Sequence, residues 1–106
     1  MKNYTFSIIT PVHINHEPRA KQLKRCIASI HNQTYPKDLI EHIIINDGST
    51  IPFNVPSYKW IRVINQPNMQ RITAYENGLR LAKNELICLL DSDDTYVGTY
   101  LEKVNK

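Results

Sequence analysis

Leu81-Ala82-Lys83-Asn84-Glu85-Leu86-Ile87-Cys88-Leu89-Leu90-Asp91-Ser92-Asp93-Asp94 is the stretch that decides the fold. A polar turn leads into a short apolar run from Glu85 to Leu90, and the run stops at three carboxylates within four residues. Apolar runs of this length bounded by turn residues read as buried strands. Acidic side chains placed where such a strand ends sit at the edge of a sheet, where α/β proteins build their sites.

Working outward, the same grammar repeats. Phe6 to Thr10 is an apolar run closed by Pro11, and Ile40 to Asn46 carries Ile43-Ile44-Ile45, the mark of a strand covered on both faces. Trp60 to Ile64 is a further strand, after an irregular loop over 51–58 that holds Pro52 and Pro56. Between the strands lie helical periods. Arg19 to His31 places Ala20, Leu23, Ile27 and Ile30 on one face with Cys26 beside them, and Pro18 stands where a first-turn proline is tolerated. Arg71 to Lys83 predicts a second helix with Ile72, Tyr75, Leu79 and Ala82 inward, and Gly78 within it predicts a close packing contact. Thr99 to Asn105 reads as the start of another helix. Alternating strands and helices predict an α/β fold with a mostly parallel sheet of about four strands between helical layers.

That arrangement predicts convergence. Thr10-Pro11-Val12-His13, Asn46-Asp47-Gly48-Ser49 and Asp91-Ser92-Asp93-Asp94 all follow strands and are expected on one rim. The rim has no glycine-rich phosphate cradle, because the three glycines, Gly48, Gly78 and Gly98, form neither GxGxxG nor a P-loop. A diphosphate held there needs another source of positive charge, and carboxylates binding Mg²⁺ or Mn²⁺ supply one. Asp91 and Asp93 are two apart, so in extended backbone they point the same way. The ordinary alternative makes Asp94 an acidic cap for the next helix, and makes Asp47 a turn residue before Gly48.

Other readings are weaker. Asp91-Ser92-Asp93-Asp94-Thr95 spells the D-x-D-x-T of haloacid-dehalogenase-type phosphatases, but only over five residues. It also imitates a calcium loop, yet Tyr96 stands where glycine is required. His13 and His16 are spaced like a zinc pair that lacks a third ligand. His31 and His42 read as helix-end and strand-surface residues.

Composition bounds the rest. The 106 residues make one domain at most, with 42% hydrophobic and 22% charged residues, as in ordinary globular chains. A net charge of +3 is too mild to argue for nucleic acid. Arg19, Lys21, Lys24 and Arg25 form the solvated face of a helix or, on a sharper reading, a contact with an acidic membrane surface. Cys26 and Cys88 read as buried, reduced thiols, which favours the cytoplasm. No signal peptide or membrane-spanning run is visible, so any membrane contact is expected to be peripheral, at the inner face.

Taken together and in order, three segments resemble family 2 glycosyltransferases. Ser7-Ile8-Ile9-Thr10-Pro11-Val12 is similar to their opening strand and loop. Ile43-Ile44-Ile45-Asn46-Asp47-Gly48-Ser49-Thr50 is similar to "V-D-D-G-S-T", and the stretch from Leu81 to Asp94 to "A-x-G-E-Y-I-x-F-L-D-S-D-D". The resemblance implies a three-layer, Rossmann-like GT-A fold, present here in part as one truncated donor-binding domain over 1–106. It implies inverting transfer of a sugar from a nucleotide-diphospho-sugar, a uridine-diphosphate sugar first among the donors, to a glycan or lipid-linked acceptor in polysaccharide or glycoconjugate synthesis. Thr10, Pro11, Val12, Asp47, Arg71, Asp91 and Ser92 are the implied nucleotide-binding residues. Asp93 and Asp91 are the implied ligands of Mn²⁺ or Mg²⁺, with Asp93 the direct one.

The sequence departs from the family in three ways. Asn46 replaces the first Asp of "D-D-G-S", and "A-R-N-x-G" becomes Ala74-Tyr75-Glu76-Asn77-Gly78. Family members also continue far beyond DxD, into the half that holds the acceptor site and the catalytic base, so that base is expected beyond residue 106. The isolated chain is therefore expected to bind donor but transfer little, and to associate with itself through an exposed fourth strand. The competing expectation is a non-catalytic nucleotide-binding or assembly module, or an inactive fragment.

Overall fold

The computed structural model describes residues 3–105. The elements follow the expected order: β1 Phe6–Val12, α1 Glu17–His31, a 3₁₀ turn Lys37–Leu39, β2 Ile40–Asp47, β3 Ile61–Gln66, α2 Arg71–Leu81, β4 Leu86–Leu89 and α3 Tyr100–Val104. The four strands are all parallel and stand in the order β3-β2-β1-β4. The sheet grows outward from β1 in one direction through β2 and β3, then returns to place β4 on the other side of β1. The reversal makes a crevice beyond the carboxyl ends of β1 and β4.

Strand alternation sorts the core into two layers. Phe6, Ile8, Val12, Ile40 and Ile44 face α1, where they meet Leu23, Cys26, Ile27 and Ile30, and Leu101 of α3 joins them. Ile9, Ile43 and Ile45 face α2 and pack on Ala74. Every residue of β1 is buried, as expected for a central parallel strand.

Helix α2 differs from its expected face. Ile72 and Leu79 are 68% and 50% exposed, and the buried positions are Ala74 and Gly78. Small residues turn inward because the helix lies almost on the sheet: a Cβ added at Gly78 would stand 2.4 Å from Cγ2 of Ile9. The close contact read from Gly78 is present, and it displaces the larger apolar residues to the flank beside β4. There Ile87 and Leu89 are also exposed, on the open edge of the sheet.

His42, read as a strand-surface residue, is fully buried instead. Its Nε2 lies 2.8 Å from the Thr10 hydroxyl and its ring is stacked on Trp60. Burial pushes its pKa down to about 3, so it is neutral. Nδ1 has no partner. An unpaired lone pair costs less than an unpaired N–H, so Nε2–H donates to Thr10. Both cysteines are free, and burial pushes the Cys26 thiol up to about 11.

A buried polar network closes the opposite end of the sheet. Glu41 accepts from the Ser7 hydroxyl at 2.7 Å, from Nη1 of Arg62 at 2.9 Å and from the Lys83 amide at 3.2 Å. Burial alone would raise its carboxyl, but the three donors outweigh burial and hold it below the ordinary value of 4.5. Two consequences can be measured. Gly78→Ala should lower stability by about 1–3 kcal/mol in urea denaturation, because the crowding against Ile9 exceeds the gain in helix propensity. A carboxyl depressed in the folded state stabilises the fold above its unfolded pKa. Stability should therefore fall as pH drops below 4.5 through the folded value, and a Glu41→Gln variant should show a shallower acid limb.

Candidate donor-binding site

The three polar clusters meet. A cleft of about 280 Å³ opens at the carboxyl rim, lined by Pro11 and Val12 at the end of β1 with His13 after them, Asp47 at the end of β2, residues 68–71, and Asp91, Ser92 and Asp93 after β4, with Arg19 of α1 at its side. Its volume is near the lower end of small-molecule pockets, roughly 300–1,000 Å³.

Asp47 ends β2 and is buried. The chain turns sharply after it because Gly48 has φ +64°, and a Cβ there would meet the Asn68 amide nitrogen at 2.5 Å. Asn46 secures the turn by accepting the Ser49 N–H through Oδ1 at 3.2 Å, the acceptor role that survives its replacement of an acid. Oδ1 of Asp47 accepts two hydrogen bonds, from Nε2 of Gln66 at 2.9 Å and from the Met69 N–H at 2.8 Å. Its Oδ2 makes no hydrogen bond among the described residues. The Asp47 carbonyl accepts from Nδ1 of His13 at 2.8 Å, which fixes the proton on that nitrogen.

The carboxylates after β4 are arranged by a turn, not by an extended segment as the spacing suggested: the Asp94 N–H donates to the Asp91 carbonyl at 3.0 Å. Asp94 is not a helix cap, because α3 begins at Tyr100 with Thr99 in the cap position. Carboxylate oxygens of Asp91, Asp93 and Asp94 lie within 4.8 Å of one another. Oxygen-only donors at that separation suit a hard divalent cation. Asp91 is the most constrained of the three. Its Oδ1 accepts from the Tyr75 hydroxyl at 2.5 Å and its Oδ2 lies 3.7 Å from Nη1 of Arg71. Burial, then the adjacent carboxylate, pushes the Tyr75 hydroxyl well above its ordinary value, so it keeps its proton and donates. Asp93 is exposed and makes no hydrogen bond or ion pair among the described residues.

Of the residues singled out by sequence, Pro11, Val12, Asp47, Arg71, Asp91, Ser92 and Asp93 line the cleft. Thr10 does not: it is fully buried and its hydroxyl is taken by His42. Its side chain belongs to the α1 face of the sheet, one alternation away from an outward position. Sequence reasoning missed Arg19, read as part of a solvated patch, and His13, read as half of a zinc pair. It also missed the supports on α2. Tyr75 holds Asp91, and the amide of Asn77 donates to Oε1 of Gln66, whose own amide donates to Asp47. Only the 3.6-residue period could have hinted at these, since it sets Arg71 and Tyr75 one turn apart on one face.

The sequence model described as "Glycosyl transferase family 2" matches residues 7–106. The chain belongs to that family. It is 34% identical over 88 residues to "Putative glycosyltransferase EpsH" of Bacillus subtilis (strain 168), a match that covers 77% of this chain and 25% of that protein. It is 29% identical over 85 residues to "Uncharacterized glycosyltransferase YibD" of Escherichia coli (strain K12), covering 74% and 24%. This chain thus spans about a quarter of the length of these relatives. Among solved structures, S. aureus TarS 1-349 superposes with a TM-score of 0.80 at 19% identity, over 94% of this chain and 31% of that one. A mannosyltransferase of Pyrobaculum calidifontis, solved with GDP-Man and Mn²⁺, gives 0.76 at 19%, over 90% and 29%. At such identity the superpositions establish the partial GT-A fold.

The double acceptor at Asp47 should matter locally. Asp47→Ala leaves the Met69 N–H unpaired, and its hydrogen exchange should quicken about tenfold or more, the equivalent of a lost hydrogen bond to a charged group. Asp47→Asn keeps one acceptor and should fall between.

Proposed function

We propose that this chain binds the nucleoside-diphosphate part of a sugar donor, with the base at Asp47 and the diphosphate beside Asp91 and Asp93. The observation that carries the reading is the convergence of carboxylates from β2 and β4 on one cleft at the point where strand order reverses. Charge supports it. Asp47, Asp91 and Asp93 face Arg19 and Arg71 across the cleft, so the lining alone is acidic and would repel a polyanion. Asp93 and Asp91 would hold a divalent cation, which would supply the missing positive charge and the electrostatic stabilisation of a diphosphate leaving group. Asp93 is the primary ligand in this reading, since its carboxylate has no other commitment in the fold.

The base is argued from the count of acceptor sites. Both lone pairs of Asp47 Oδ1 are used, which leaves Oδ2. Uracil offers one imide N–H between two carbonyls and suits a single acceptor. Guanine offers an N–H beside an amino group and suits two acceptors side by side. The acceptor count therefore favours a uracil-type imide over guanine, and the proposed donor is a uridine-diphosphate sugar. TarS has been solved with UDP and with UDP-GlcNAc, which agrees with that choice, whereas the P. calidifontis enzyme was solved with GDP-Man.

In the reaction, Arg19 and Arg71 orient the phosphates, and the acceptor hydroxyl attacks the sugar with inversion after giving its proton to a carboxylate. None of the cleft carboxylates suits that role, since each is placed against the donor. No residue of the cleft is assigned as that base, and the small cleft fits one wall of a larger site in a chain that spans about a quarter of its relatives' length. No helix among the described residues is long and apolar enough to cross a membrane. Lys21, Lys24 and Arg25 remain exposed on α1, which supports peripheral contact with an acidic membrane surface. The open edge of β4, with exposed Ile87 and Leu89, supports self-association of the isolated chain.

Titration calorimetry of the 106-residue chain tests the donor site. UDP should bind at least about tenfold more tightly with Mn²⁺ than with chelator, a difference of about 1.4 kcal/mol. GDP should bind more weakly than UDP, and Asp93→Ala should abolish the response to Mn²⁺. Equal UDP binding with and without metal, or in Asp93→Ala and wild type, would overturn the assignment.

A further inference from the structure

The family pattern has an arginine where this chain has Tyr75, and the structure gives that tyrosine a specific partner. We infer that Tyr75 is a positioning residue: by donating its hydroxyl proton to Oδ1 of Asp91 it fixes the carboxylate's rotation and leaves Oδ2 alone turned to the metal–diphosphate. The inference rests on the donor-site reading above and goes further, because it assigns a role to a residue outside the cleft lining.

Three observations carry it. The bond is short, 2.5 Å, and joins a neutral donor to a carboxylate, the strong class of hydrogen bond. The ring is held independently of the hydroxyl, since it packs against the cluster of Ile9, Ile43, Ile45 and Ala74. The donor is therefore aimed by the core, with little rotamer freedom left to lose. Arg71, one turn earlier on α2, reaches the other oxygen at 3.7 Å but is 70% exposed and free to move toward a phosphate. A half-buried tyrosine, packed on the core, and an exposed arginine thus divide the two oxygens of Asp91. An arginine at position 75 would bring a second fixed positive charge to Asp91 and compete with a cation for it. The neutral hydroxyl orients the carboxylate and leaves its charge for the metal.

Tyr75→Phe removes the donor and keeps the packed ring. In the full 106-residue chain, its UDP affinity with Mn²⁺ should fall about tenfold, the scale of one hydrogen bond to a charged group. Its UDP affinity in chelator should match wild type, and its melting temperature in chelator should fall only by the contribution of the one lost hydrogen bond. A residue with a merely structural role would lower both arms together. In an Asp91→Asn background the further change Tyr75→Phe should have no effect on Mn²⁺-dependent binding, since the proposed action passes through Asp91 alone. Wild-type binding with Tyr75→Phe unchanged in both arms, or with an additive loss in the double variant, overturns the role of Tyr75 and leaves the donor site standing. No UDP binding by wild type in either arm overturns the donor site and Tyr75 with it.

Discussion

The close seating of α2 on β1 is the contact on which the site depends. Gly78 lets the helix backbone approach Ile9 at a distance that no side-chain-bearing residue permits without displacement. From that position Tyr75 reaches the end of β4 and Asn77 reaches Gln66 at the end of β3. Raised by the width of one methyl group, the same helix would hold neither carboxylate in place. A core packing constraint is thereby converted into side-chain geometry at the rim. The exposure of Ile72 and Leu79 follows from the same seating.

The topology and the loops share the remaining work. The order β3-β2-β1-β4 brings Asp47 and Asp91 to flanking positions around the end of β1, although 43 residues lie between them in sequence. The 67–70 loop then folds over Gly48 and is tied down by Asp47 itself through the Met69 amide. Asp47 is therefore part of the scaffold through one oxygen and open to the cleft through the other. Asp91 is divided in a similar way between Tyr75 and Arg71.

Much of this was legible in the sequence because it is periodic or punctuated. The strands ending at Val12, Asp47 and Leu89 each announce themselves by apolar runs that stop at polar residues, and parallel alternation forces their ends onto one edge. The turn at Gly48 and the close approach at Gly78 are readable because glycine has few other reasons to stand there. The errors have a common cause. His42 and Thr10 satisfy one another across adjacent strands, so polarity pointed each of them outward while the hydrogen bond kept both inside. Ile72 and Leu79 were turned inward by hydrophobicity, when the space available under α2 admitted only Ala74 and Gly78. Neither fact is local: each depends on a partner 29 or more residues away, which no window along the chain contains.

The two ends of the sheet differ in how completely their acids are partnered. Glu41 is as buried as any acid in the chain, and it receives donors from Ser7, Arg62 and the Lys83 amide. With donors on both of its oxygens, its chemistry is spent on joining β1, β2 and β3 to the end of α2. At the opposite end, Asp47 keeps an oxygen without a donor and Asp93 lacks any partner among the described residues, while Asp94 stands close by. Crowded carboxylates cost free energy through mutual repulsion, and nothing in the packing of β4 or α3 requires three of them in a single turn. Acids whose hydrogen bonds are complete belong to the scaffold. Acids gathered and left incomplete at a topological switch point are a cost that the fold alone does not explain, and the proposed cation with its diphosphate would remove it.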